Sequence, residues 1–171
     1  MTFATDIRRS STRIDDLERR LSTVLARYSV DALRISLGLI FFGFGVLKFV
    51  PGLSPAESLA ARTLDILTFG LVPERIGLVG VAALETTIGL LLLSGRGLRV
   101  ALALLAVELV GILSPIVLLP TEMFRGVLAP TLAGQYVIKD ITLAAAGMVV
   151  AAQALGARMV VESVADRRAG R

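Results

Sequence analysis

Five charged residues lie inside stretches that are otherwise apolar: Lys48, Glu85, Glu108, Lys139 and Asp140. Carboxyl and amino groups of this kind can pair with each other, relay a proton, or hydrogen-bond a small ligand. In apolar surroundings they must do one of these. A bare charge at the centre of a bilayer costs roughly 2.5–3.5 kcal/mol on insertion scales. The clearest case is Ile76–Gly95, IGLVGVAALETTIGLLLLSG, which carries Glu85 near its middle. At about 1.5 Å per residue it is long enough to cross a bilayer.

The composition narrows the chemistry. Of 171 residues, 55% are hydrophobic, and the mean hydropathy is +0.79, above that of ordinary soluble domains. The chain has no cysteine and no histidine. Disulfides, thiol redox chemistry, His-ligated haem, Cys/His zinc sites and imidazole acid–base catalysis are therefore excluded within it. No metal site is expected. There is no nucleophile–base pair and no nucleotide-binding glycine fingerprint, so no catalytic residue is assigned. The pI near 10.3 comes from arginines gathered mostly at the two ends. In an apolar chain this pattern reads as orientation and anionic lipid rather than nucleic acid.

The elements that position these charges follow from periodicity. Residues 1–28 predict an amphipathic arm: Ile14, Leu17, Leu21, Val24, Leu25 and Tyr28 recur at helical spacing opposite Asp15, Asp16, Glu18, Arg19 and Arg20. Such a helix lies on the membrane surface or on a partner, or is a solvated lead-in. It does not read as a signal peptide. Residues 29–157 predict four spans, and 158–171 a basic tail. Span 1, about 32–50, carries Arg34, Gly38, Phe41, Gly45 and Lys48 on one stripe, with glycines that admit a close neighbour. Arg34 and Lys48, near its two ends, read as snorkelling charges. The loop 51–75 contains a capping box, Ser54-Pro55-Ala56-Glu57, and hence a short helix across the bundle mouth that Gly70 ends. Span 2 ends in a tight turn at Ser94-Gly95-Arg96-Gly97. Span 3, about 98–119, holds Glu108. Its Pro115 frees the carbonyl of Gly111 and predicts a kink opening on the Glu108 side. Span 4, about 134–156, carries Lys139 and Asp140 in its first two turns. The expected fold is an all-α integral membrane four-helix bundle.

Orientation follows from the arginines. The N-terminal arm, the 95–98 turn and the tail (Arg158, Arg167, Arg168, Arg171) are rich in positive charge, whereas the 51–75 and 120–133 loops hold only Arg62, Arg75 and Arg125. Both termini are thus expected in the cytoplasm and the short helix outside it, in the inner membrane of a bacterium. Counted at about 1.5 Å per residue, Lys48 falls at the outer interface, Lys139 and Asp140 about 8–9 Å below it, Glu85 about 13 Å and Glu108 about 16 Å. Glu85 and Lys139 come out as the best candidate ion pair. Glu108 is the deepest and is expected to hold a proton or sit beside water or a ligand. The chain has sixteen arginines and two lysines, both inside spans. A lysine there either titrates and contacts a ligand or simply fits where a guanidinium does not.

Three stretches, RISLGLIFFGFGVLKF (Arg34–Phe49), LETTIGLLLLSG (Leu84–Gly95) and GQYVIKDITLAAAG (Gly134–Gly147), resemble the DoxX-like family of small four-span membrane proteins. The similarity is greatest to the branch that includes a reactive-chlorine-resistance membrane protein. The resemblance covers about residues 30–157. Its matching positions are Arg34, Gly45, Lys48, Glu85, Gly89, Lys139 and Asp140; Glu108 is outside the pattern. It implies a four-helix bundle tied to membrane redox systems. It does not carry over an activity, because function in the family is diverse.

Three functions fit the residues and the resemblance together. One is a non-catalytic component of a redox or oxidative-stress defence system, binding a quinone-like ligand near Glu85, Glu108 and Lys139 or docking a soluble oxidoreductase. Another is a small proton-coupled transporter, which with four spans would need a homo-oligomer. The last is a membrane scaffold or assembly factor whose charges lock the helices together.

Overall fold

The computed structural model describes the backbone over residues 2–127 and 129–158, and the side chains over 16–127 and 129–158. Arg167, Arg168 and Arg171 of the basic tail lie outside the described residues, as do the side chains of Ile14 and Asp15. The chain is mostly helical, and four helical segments are long and apolar enough to cross a membrane: 16–48, 74–94, 98–118 and 132–154.

Helix α1 (Thr2–Lys48) runs for 47 residues. It joins the arm and span 1 in a single helix, so no break falls at the expected boundary near residue 28. Helix α2 (Glu57–Leu67) starts later than the sequence suggests. The capping box does not form: the Glu57 carboxylate accepts instead from the amide of Gly52 at 2.6 Å, and the buried Ser54 hydroxyl finds no partner among the described residues. Helix α3 (Glu74–Ser94) ends in the expected turn, where Gly95 and Gly97 both take left-handed backbone angles, φ +68° and +61°. Helix α4 (Leu98–Leu113) breaks at Ser114, and α5 (Pro115–Leu118) continues it. The Gly111 carbonyl that Pro115 would leave bare accepts from the Ser114 hydroxyl at 2.7 Å.

After the one-turn α6 (Pro120–Met123), a two-stranded antiparallel ribbon of β1 (Phe124–Gly126) and β2 (Ala129–Pro130) departs from the expected all-α pattern. Thr131 then caps the next helix, its hydroxyl accepting from the amide of Gly134 at 3.0 Å. This cap starts span 4 at Leu132, before the Gly134 expected from hydropathy. The span is also divided: α7 (Leu132–Lys139) and α8 (Ile141–Ala154) meet at Asp140.

The four long segments form a ring in which α1 and α4 do not oppose their sequence neighbours alone: α1 packs on α3 and α8, and α4 on the same two. The tightest seam is α1 against α3. A Cβ on Gly38 would come 2.8 Å from the Leu93 side chain, and one on Gly45 2.6 Å from the Thr86 amide. On the facing helix, a Cβ on Gly89 would collide with the Phe42 backbone. All three glycines thus serve close helix packing, the use expected for small residues between membrane helices.

The apolar core is concentrated toward the terminal end of the bundle, around Leu37, Phe41, Ile88, Leu92, Leu105 and Val150. The buried charges occupy the other half, toward α2. Arg34 closes the terminal end. Its guanidinium donates to the carbonyls of Leu92 and Leu93 at the last turn of α3 and lies 3.6 Å from Asp31. It caps a neighbouring helix rather than simply snorkelling to an interface.

Candidate functional site

The site is built on the α1–α3 seam. Gly38 faces Leu93, Phe42 faces Gly89, and Gly45 faces Glu85 and Thr86. This antiparallel register places Lys48, one turn past Gly45, beside Glu85. The Lys48 ammonium donates to both carboxylate oxygens, at 2.8 Å to Oε1 and 2.6 Å to Oε2. Both side chains are under a tenth exposed. Among the described residues this is the one buried ion pair.

Lys48 is therefore Glu85's partner, and Lys139 is not. Depth counting misplaces Lys48 because it treats the end of span 1 as the membrane interface. In the bundle, α1 stops nine residues short of the start of α3 on that register, or about 14 Å. Its last residue is consequently held at mid-helix level. Lys139 is exposed, with its ammonium 5.7 Å from the centre of the Tyr136 ring. It leaves the site by stacking on its own helix, one turn back.

Glu108, on α4, is buried at 8% exposure. It lies within electrostatic reach of Glu85 and Lys48. Asp140, at the break between α7 and α8, is partly buried and acts electrostatically on Glu85, while Lys48 acts on it in turn. Among the described residues, Glu85 is the one carboxylate in contact with the Lys48 ammonium, and Glu108 and Asp140 lie farther off, within its electrostatic reach. Of the five expected site residues, Lys48 and Glu85 pair directly, Glu108 and Asp140 lie within electrostatic reach of them, and Lys139 is exposed. Among the described residues, only Glu85 of the three acids is hydrogen-bonded by a side chain. None of the described residues donates to the Glu108 carboxyl, whose oxygens keep some accessible surface.

Buried polar groups ordinarily find a partner, since leaving one unpaired costs about 1–3 kcal/mol. The Glu108 carboxyl therefore has unused hydrogen-bonding capacity within electrostatic reach of the Lys48–Glu85 pair. Among the described residues, the Thr86 hydroxyl beside Gly45 is buried without a partner. Such groups can receive a proton, a cation or the hydrogen-bonding end of an apolar molecule. Among the described residues, no three acids come close enough to hold a metal ion.

Two features of the site were not anticipated from sequence. The Lys48 pairing had a signal, because Lys48 shares a stripe with the glycines that seat α3. The seating of Gly134 against the Met123 carbonyl had a weaker one, the Thr131-x-x-Gly134 cap. No protein-family model, curated protein or solved structure matches the chain.

Proposed function

We propose that this chain is a non-catalytic membrane component of a redox or oxidative-stress defence system, and that it holds a quinone-like small ligand against Lys48, Glu85 and Glu108. The observation that carries this reading is Glu108, 8% exposed and within electrostatic reach of the Lys48–Glu85 pair, to whose carboxyl none of the described residues donates. A quinone offers two carbonyl oxygens, which an ammonium can reach, and as a quinol two hydroxyls, which a carboxylate accepts. Its ring and tail suit the apolar helices on either side. The resemblance to DoxX-like proteins supports the same assignment, and the distribution of arginines supports both termini in the cytoplasm and α2 on the outer face of a bacterial inner membrane. On that orientation Lys48 and Glu85 lie in the outer half, and a soluble oxidoreductase would meet the basic cytoplasmic ends.

The test is photolabelling in native membranes with a photoreactive benzoquinone. The expected label falls on the peptides carrying Glu85 and Glu108 and is competed away by excess long-chain quinone. Label spread over lipid-facing residues, without competition, would contradict the reading.

The excess of acid over base favours a second reading, proton-coupled transport. Two further carboxyl groups, Glu108 and Asp140, lie within electrostatic reach of the Lys48–Glu85 pair, and Asp140 sits where span 4 is interrupted. Intramembrane carboxylates of this kind mark proton and ion paths. Substrate flux in liposomes that is lost in Glu108→Gln would select it.

A further inference from the structure

The arm of α1 carries a seam that the bundle does not use. Leu17, Leu21, Val24 and Tyr28 are each more than half exposed. With Ile14 they recur at spacings of three and four, the a and d positions of successive heptads. The flanking Asp16, Arg19, Ser22, Thr23 and Ala26 fall on the outer positions.

The arm is also held in direction. Residues 2–37 contain neither glycine nor proline, and α1 continues unbroken from Thr2 to Lys48. Sharp helix bends almost always arise at such residues or at bulges. The bundle begins at Val30, the first α1 residue of the core. Residues 13–28 therefore project about 24 Å beyond it along the span axis. A helix continuing that axis cannot lay its apolar stripe in the membrane plane.

The charges beside the seam fix what covers it. Arg13, Arg20 and Arg27 all occupy the g positions, and Glu18 and Leu25 the e positions. In an antiparallel pair the two arginine rows would face one another. In a parallel pair, Arg13 of one helix faces Glu18 of the other, and Arg20 lays its stem on Leu25. Two copies inserted the same way in one membrane present their arms parallel. The seam also runs on into the outward side of span 1, where Ala32, Ile35 and Ser36 are exposed, opposite the α3 contact.

We propose that residues 13–28 form a parallel two-stranded coiled coil with the same segment of a second copy of this chain.

The absence of cysteine from the sequence allows a clean test in the full-length protein in native membranes. Single cysteines are introduced at d positions (Leu17→Cys, Val24→Cys) and at outer positions (Arg19→Cys, Ala26→Cys), then oxidised with copper–phenanthroline. The expected result is at least tenfold more disulfide dimer at the d positions. In the Val24→Cys background, Glu18→Arg should cut that yield severalfold, and the swap Arg13→Glu with Glu18→Arg should restore it. Equal yields at all four positions would overturn the proposal. So would labels at Leu17→Cys and Val24→Cys that are quenched by brominated lipid, which would place the arm on the bilayer. Cross-links to a protein of different mass would overturn it as well, and a swap no better than Glu18→Arg alone would overturn the parallel register.

Discussion

Lys48 and Glu85 meet through both carboxylate oxygens, at 2.6 and 2.8 Å, at a level where α1 ends and α3 is still mid-helix. The pair depends on Gly45, whose missing side chain brings the two backbones together one turn below. Removing one partner leaves a buried charge without compensation, at a cost of about 3–5 kcal/mol, whereas replacing both with apolar residues is often close to neutral. Lys48→Met and Glu85→Leu should each lower stability in detergent unfolding by that order, and the double variant should recover most of it. If the double variant is as damaged as the singles, the pair does more than hold helices together, and the binding reading gains.

The glycine seam predicts a position-specific pattern. Gly89→Ala drives a methyl into the Phe42 backbone and Gly45→Ala into the Thr86 amide. Overpacking of this kind costs about 1–3 kcal/mol, and here the obstacle is backbone, which yields least. Gly43→Ala, with nothing within 4 Å of its added Cβ, should leave the unfolding midpoint unchanged. Equal effects at the three positions would contradict the seam.

At the terminal end, Arg34 supplies donors to the last-turn carbonyls of α3. Hydrogen bonds from a charged group contribute about 1.5–3 kcal/mol. Arg34→Met should lose stability in that range, and Arg34→Lys, which cannot offer the same planar fork, should recover only part. Full stability in Arg34→Met would mean that the residue merely snorkels.

On the α2 side, Arg62 pairs with Glu122 and so ties α2 to α6. Both side chains are substantially exposed, 60% and 31%, and exposed pairs contribute between nothing and about 1 kcal/mol. Arg62→Ala should shift the unfolding midpoint little, and less still in high salt. A loss as large as that of Lys48→Met would show that this strap matters far more than its exposure allows.

The four spans were legible because apolar length is a strong signal, and the glycine stripe because its spacing repeats every turn. Gly38 and Gly45 sit where that stripe places them, at the helix contact, and Gly89 meets them from α3. The charges were harder to read. Burial of Glu85 and Glu108 follows from the cost of exposing a carboxylate to lipid, but choosing a partner required knowing how far α1 rises beside α3. Lengths alone set Lys48 at the interface and turned attention to Lys139. The break at Asp140 left no trace in hydropathy, since no proline or glycine marks it. The capping box failed for a local reason: Glu57 finds the Gly52 amide, a contact made by the turn that precedes it.

Ligand binding at Lys48, Glu85 and Glu108 underlies the proposed function. Its most direct test is mass spectrometry of the organic extract from gently purified protein, comparing the parent with Glu85→Gln and Glu108→Gln at matched monodispersity. A quinone-like molecule present in stoichiometric amount in the parent and lost from both variants is the expected result. Bulk lipid alone in all three preparations would contradict the claim and leave the buried charges to transport or to helix packing.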